Sequence, residues 1–251
     1  MLLISLVAVF LSPPEAVAPL SPPVTVTNEA AAAAEARSAF AEGLAALDKA
    51  EFARAEARFR VAATLVPDWG LAHLQLGIAL FNLDPQDPRA AASLEHAVAL
   101  DAGNARAHLQ LGLAYDRLGR ANDAVREVRA AISLRPDLIE GRYLLAGILA
   151  ASGADTDAIE TYGQVLERAP GHIGALAGLA ACYERTGQNI LAETALLTIA
   201  RLYPDVSYHR YRLAEFYERI GAREKAARIY GELESSEPRT RKMRRLPTAS
   251  R

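Results

Sequence analysis

Residues 105–138 read ARAHLQLGLAYDRLGRANDAVREVRAAISLRPDL, and this stretch decides the fold. Apolar side chains recur at helical spacing up to Tyr115, and they do so again from Ala124 to Ala131. Between the two runs lies Gly119, a residue that can adopt the left-handed backbone conformation in which many helices end. The stretch therefore predicts two helices joined by a short turn.

The same pattern recurs through most of the chain with a period of 34 residues. The prolines at 136, 170, 204 and 238 are each 34 residues apart. A series of small residues comprises Gly43, Gly77, Gly112, Ala146, Ala180 and Ala214, and a second series comprises Ala55, Ala90, Ala124, Ala158, Ala192 and Ala226. Both series contain a single step of 35 residues. We place the extra residue in the turn at 84–88, because its two prolines prevent a helix from continuing.

The two small-residue series predict how each helix pair packs. A small residue in the first helix allows two backbones to approach closely, and a larger residue four positions after the second-helix alanine fills the remaining space. These filling residues are Phe59, Leu94, Val128, Tyr162, Leu196 and Tyr230. The glycines that should end first helices are Gly119, Gly153, Gly187 and Gly221.

This order of Leu-Gly or Leu-Ala, a tyrosine three residues later, and then Gly, Ala and Pro resembles the tetratricopeptide repeat. The matched units are 36–69, 70–104, 105–138, 139–172, 173–206 and 207–240. Departures are the residues at the fourth position, where the family often has tryptophan, and Ala102 in place of a proline. The resemblance implies an all-α, right-handed superhelical solenoid of helix-turn-helix repeats, which we assign to residues 29–238.

The two ends of the chain differ from the repeats. Residues 1–18 resemble a signal peptide, because an apolar run is followed by Ala16-Val17-Ala18, although no basic residue precedes Arg37. Residues 19–28 are predicted to be a proline-rich linker, and residues 239–251, which hold six cations and no acid, a disordered basic tail. We expect export to the periplasm of a bacterium, or a cytoplasmic protein if the first segment is not a signal.

Composition argues against several classes of function. A net charge of −2 does not favour binding to nucleic acid. The one cysteine, Cys182, excludes an intrachain disulfide and is expected to be a buried, inert thiol. His73 and His108 occupy matching repeat positions and are interpreted as packing residues. We find no phosphate loop, nucleophile motif or metal-ligand spacing, so we predict no catalytic residues, no metal and no cofactor.

The resemblance also implies a binding site. The second, fifth, ninth and twelfth positions of each repeat should line a concave face that holds a peptide or helical segment of a partner protein. Here the N-terminal half of that face is apolar and the C-terminal half is polar and aromatic. The predicted groove residues are Phe40, Leu44, Leu74, Ile78, Phe81, Arg106, Leu109, Leu113, Tyr143, Arg185, Tyr208, Tyr211 and Arg212. The predicted function is a non-catalytic adaptor or scaffold.

Several alternatives remain open from the sequence alone. Leucine and isoleucine at helical spacing are more often core residues than ligand contacts. The linker could occupy the groove. The last repeat could form a homodimer through Ile229, Tyr230 and Leu233. The chain could also be a structural spacer that has no groove ligand. The N-terminus or the basic tail could contact a membrane. Finally, the chain could be the regulatory repeat portion of a larger enzyme such as a transferase.

Overall fold

The structure, a computed structural model, describes residues 27–236. Within them the chain forms twelve α-helices and no strand, so the predicted all-α helical repeat solenoid is confirmed. The helices are α1 (Thr27–Asp48), α2 (Phe52–Leu65), α3 (Gly70–Leu83), α4 (Pro88–Leu100), α5 (Ala105–Arg117), α6 (Ala121–Leu134), α7 (Ile139–Ala151), α8 (Asp155–Arg168), α9 (Ile173–Arg185), α10 (Asn189–Leu202), α11 (Ser207–Arg219) and α12 (Arg223–Ser236).

The described residues form two compact units, and the boundary between them lies within α7, after Ile148. In the first unit, consecutive helices pack against each other from α1 to α6. In the second unit, α8 through α12 do the same. Packing between neighbours in sequence is what a repeat fold requires, because one helix pair cannot bury its apolar face alone.

Close contact at a glycine holds each of the first three helix pairs together. A methyl group placed on Gly112 would lie 2.5 Å from Cγ2 of Val128. The corresponding distance is 2.6 Å from Gly43 to Phe59 and from Gly77 to Leu94. The predicted pairing of a small residue with a filling residue is therefore confirmed in these three repeats.

The turns between paired helices also follow the prediction. All four glycines expected to end first helices have positive φ angles, from +73° to +79°. Three residues separate most paired helices, whereas four residues, 84–87, separate α3 from α4. The extra residue therefore lies in the turn where we placed it. Asp87 caps α4 there by accepting a hydrogen bond from the backbone N–H of Arg89 at 2.8 Å.

Buried tyrosines connect successive repeats in both units. The hydroxyl of Tyr115 donates a 2.6 Å hydrogen bond to Glu95 on the preceding second helix, and Tyr217 donates an equally short one to Glu193. Burial and the adjacent carboxylate raise the pKa of each phenol to about 12. Each phenol therefore stays protonated and can keep donating at physiological pH.

The helical region begins two residues before the predicted boundary at residue 29. Helix α1 begins at Thr27, so Thr27 and Asn28, which we assigned to the linker, are helical. The signal-like segment, the rest of the linker and the basic tail lie outside the described residues. Of the helices that the structure describes, none is sufficiently long and apolar to span a membrane.

The glycine contacts generate a stability prediction. Gly112→Ala should destabilise the protein by about 1–3 kcal/mol, because the added methyl group overlaps Val128. Gly163→Ala is the matched control, because Gly163 lies within α8 and a methyl group added there would meet no side chain or neighbouring helix within 4 Å. That change should be neutral or stabilising by up to about 1 kcal/mol, because alanine favours a helix. Urea unfolding followed by circular dichroism measures both, and equal effects of the two variants would contradict the packing argument.

A second prediction concerns Ala50, which occupies the turn position that Gly119 fills in a later repeat. Its φ is +56°, a left-handed conformation that disfavours a residue with a Cβ by about 1–2 kcal/mol. Ala50→Gly should therefore raise the free energy of unfolding by about 0.5–1 kcal/mol after the entropy loss of glycine is subtracted. Gly119→Ala should lower it by a similar amount. A destabilising Ala50→Gly change would show that this turn is not strained.

Candidate functional site

Most of the apolar half of the predicted groove is buried. Five of its side chains are less than a tenth exposed: Phe40, Leu74, Phe81, Leu109 and Leu113. We had expected these residues to line an open surface, and the structure places them in the core instead. The ring of Phe40 lies 5.3 Å from Phe59 and 4.6 Å from Trp69, so one aromatic cluster encloses it. Helix α3 also contacts α5, which places first helices of adjacent repeats side by side.

The remaining predicted residues of the first unit are more accessible. Leu44, Ile78 and Tyr143 are half-buried, and Arg106 is exposed. Asp116, which was not among the predicted residues, is half-buried at the twelfth position of its repeat. Burial raises the pKa of its carboxyl group, and Arg117, 4.0 Å away, lowers it in part.

The second unit presents a different surface, formed by the first helices α9 and α11, which we call the α9–α11 face. On α9 the fifth and ninth repeat positions are alanines, Ala177 and Ala181, followed by Glu184 at the twelfth. On α11 the second and fifth positions are tyrosines. Tyr208 is 46% exposed and Tyr211 is half-buried. One exposed and one half-buried tyrosine on α11 thus lie beside the small side chains of α9.

Ion pairs join several of the charged side chains on this face. Arg219 on α11 donates a 2.7 Å hydrogen bond to Glu184 on α9, which joins the C-terminal ends of the two helices. Arg212 lies 3.7 Å from Glu215 on the same helix. The hydroxyl of Tyr230 on α12 donates to Glu218 at 3.2 Å, and its ring lies 6.1 Å from Tyr211. The α9–α11 face therefore carries both charged side chains and aromatic rings.

Arg185, another predicted groove residue, is exposed but already bonded within the chain. Its Nε donates to Asp155 at 2.9 Å, and its Nη2 lies 3.2 Å from the sulfur of Cys182. The prediction that Cys182 is buried is confirmed. Burial raises the pKa of its thiol, although Arg185 opposes that shift, so the thiol is a poor nucleophile.

The proposed dimer surface on the last repeat is largely covered. Leu233 is buried, and Ile229 and Tyr230 pack as partly buried residues against the core cluster around Phe216. Among residues 27–236, no group of three or more His, Cys, Asp or Glu side chains is placed to hold a metal ion.

A second region, which the sequence did not indicate, lies between α2, α3 and α4, where Ala63, Leu76 and Ala92 form an apolar lining. It is an open cleft of about 300 Å³. Its polar lining consists of Arg60, Thr64, His73, Arg89, Ser93 and His96. The imidazole rings of His73 and His96 stack there with their centroids 5.1 Å apart.

Comparison with known proteins gives matches to family models and to solved structures. Two models described as tetratricopeptide repeat match residues 105–138 and 149–212. No curated protein matches the sequence.

Three solved structures resemble the chain at low sequence identity. A tetratricopeptide repeat protein from Parabacteroides merdae aligns with a TM-score of 0.69 and 17% identity, over 82% of this chain and 81% of its own. The MamA protein aligns with a TM-score of 0.58 and 21% identity, over 81% of this chain and 96% of its own. YrrB, described as a tetratricopeptide repeat protein with an unusual peptide-binding site, aligns with a TM-score of 0.60 and 20% identity, over 68% of this chain and 88% of its own.

The family models match repeats that the sequence period defines independently, and the solved structures share the helical repeat architecture. Residues 105–138 and 149–212 are thus tetratricopeptide repeats, and the chain has the helical repeat fold of tetratricopeptide repeat proteins.

Proposed function

We propose that the chain is a non-catalytic adaptor that holds a peptide or helical segment of a partner protein on the α9–α11 face. The observation that carries this proposal is the exposure of Tyr208, at 46%, beside the half-buried Tyr211. Tyrosine is enriched at protein interfaces because it buries a large rigid surface and still offers a hydroxyl group for hydrogen bonding.

The size of the neighbouring side chains supports a binding role for this face. In the repeat 105–138 the fifth and ninth positions hold Leu109 and Leu113, and both side chains are buried. On α9 the same positions hold Ala177 and Ala181, which are too short to cover the adjacent helix. A partner side chain lying over the alanines would contact the tyrosine rings and bury apolar surface.

The charges on this face indicate the kind of segment that it accepts. Glu215 and Glu218 are exposed, and Arg212 and Arg219 lie on the same helix. A segment with apolar or aromatic anchors and both signs of charge would complement such a surface. The similarity to YrrB, described as having a peptide-binding site, supports a peptide ligand for this chain as well.

The test is a double variant of the two tyrosines. Tyr208→Ser with Tyr211→Ser should reduce capture of the partner from extracts of the source cells at least about tenfold, since interface tyrosines commonly contribute more than 1 kcal/mol each. Quantitative mass spectrometry of the captured proteins measures the change. Ile190→Ser is the matched control, because Ile190 is 80% exposed on α10 and lies off this face. A partner retained equally by all three proteins would contradict the proposal.

We further propose that the adaptor works in the cell envelope, on the basis of the apolar run and the Ala16-Val17-Ala18 pattern. Residues 1–28 fused to alkaline phosphatase should give an active enzyme in a bacterial host, because phosphatase needs disulfides that form after export. A fusion carrying only residues 19–28 should be inactive. An inactive fusion of residues 1–28 would contradict export.

A further inference from the structure

Two adjacent repeats carry the same histidine with different partners. In the repeat 105–138, His108 lies 3.1 Å through Nε2 from the carbonyl oxygen of Ala102 and 2.8 Å through Nδ1 from the carboxylate of Glu127. Both ring nitrogens are therefore occupied. The carbonyl oxygen accepts, so Nε2 carries a proton.

In the repeat 70–104, His73 repeats only the first of these contacts. Its Nε2 lies 2.8 Å from the carbonyl oxygen of Pro67, six residues earlier, as in His108. Glu127 comes three residues after the second-helix alanine Ala124, and the matching residue after Ala90 is Ser93. The carboxylate that completes the histidine in one repeat is therefore replaced by a small hydroxyl in the other.

Ser93 lines the α2–α4 cleft, whose polar residues are Arg60, Thr64, His73, Arg89, Ser93 and His96. The hydroxyls of Thr64 and Ser93 already donate to the carbonyl oxygens of Arg60 and Arg89, at 2.8 and 2.9 Å. The cleft therefore offers two guanidinium groups and two imidazoles around an open volume of about 300 Å³. Such groups donate hydrogen bonds to anionic oxygens. These groups of the cleft could therefore bind a ligand that supplies a carboxylate in the place of Glu127.

The acids near the cleft orient its arginines without filling it. Glu56 lies 3.1 Å from Nη1 of Arg60, and Asp87 lies 2.6 Å from Nη2 of Arg89. The two carboxylates are only 14% and 13% exposed, whereas the arginine side chains are 60% and 68% exposed. An arginine has five N–H donors, so both guanidinium groups retain donors for a ligand.

We propose that the α2–α4 cleft is a second binding site, separate from the α9–α11 face, and that it takes a carboxylate group in the place that Glu127 occupies in the next repeat. The carboxylate would come from an acidic side chain of a protein partner or from a small dicarboxylic acid. It accepts from the imidazole of His73 and from the guanidinium groups of Arg60 and Arg89.

Binding should strengthen as the pH falls. Burial lowers the pKa of His73 below its usual value, the hydrogen bond to Pro67 opposes this, and the adjacent His96 lowers it further. The free imidazole is therefore mostly neutral at pH 7. A bound carboxylate favours the protonated ring and raises its pKa, so by linkage the affinity rises as His73 becomes protonated. Arg60 and Glu56 on α2, with Arg89 and His96 on α4 and Asp87 at its N-cap, supply the other charges around the ring.

The experiment is a titration of the histidine ring signals by nuclear magnetic resonance in the full chain, with glutarate as the probe. At about pH 6, where imidazoles titrate, glutarate should shift the signals of His73 and His96 and raise the pKa of His73. His108 should not respond, because Glu127 already occupies its Nδ1. Glutaramide, the neutral analogue, should produce no shift. Absence of a glutarate effect on His73 would overturn the proposal.

Two variants make the test independent of that single result. Ser93→Glu supplies the carboxylate within the chain, so it should raise the pKa of His73 without ligand and weaken glutarate binding at least about tenfold. Ser93→Gln has nearly the same size without the charge and should leave the pKa of His73 unchanged. A folded Ser93→Glu protein with an unchanged His73 titration would contradict the proposed geometry.

A second probe distinguishes the two sources of the carboxylate. An acetylated tetraglutamate peptide that binds at least about tenfold more tightly than glutarate would identify an acidic protein segment as the ligand, and equal affinities would identify a small acid. Tyr208→Ser with Tyr211→Ser should leave glutarate binding unchanged. The carboxylate site and the α9–α11 face can therefore succeed or fail separately.

Discussion

The contact between a glycine of the first helix and a larger residue of the second holds the repeat together. At Gly112 the space for a methyl group is already taken by Val128, 2.5 Å from where a Cβ would lie. Dispersion attraction falls off steeply beyond atomic contact, and the two helices can pack this closely only because Gly112 has no side chain. Once the pair is fixed, its remaining apolar surface can be buried only against the next repeat. The Tyr115–Glu95 hydrogen bond then joins the repeats at a defined position.

The sizes of the first-helix residues then determine where the surface is open. With leucine at the fifth and ninth positions, as in α5, the side chains meet other core residues and are buried. With alanine there, as in α9, the surface stays shallow and the neighbouring Tyr208 remains exposed. The same repeat scaffold thus produces a sealed surface in one unit and, in the other, the exposed surface that we propose binds a partner. A solenoid can therefore place its recognition site without changing its backbone.

Much of the fold could be predicted from the sequence, because its determinants are local. Left-handed glycines, the proline-containing turn at 84–88 and the glycine contacts each depend on residues within one repeat. The groove could not be predicted as well. Whether Leu74 is a ligand contact or a core residue depends on side chains of adjacent repeats, and an identical helical spacing results in either case. Phe40 shows the same difficulty within its own repeat, because Trp69, which is distant from Phe40 in the sequence, helps to enclose it.

Function in such a protein is best sought where one repeat departs from the others. Ser93 in place of a residue equivalent to Glu127 has no explanation in packing, since Leu94 and Val128 fill the helix pair in both repeats. Yet His73 keeps the backbone hydrogen bond that orients the ring in His108. A ring held in position with its second nitrogen directed away from that bond is preorganised for a partner, because its rotational freedom is already lost before binding. Arg60 and Arg89 line the same cleft, and their positive charges would attract a carboxylate group of that partner.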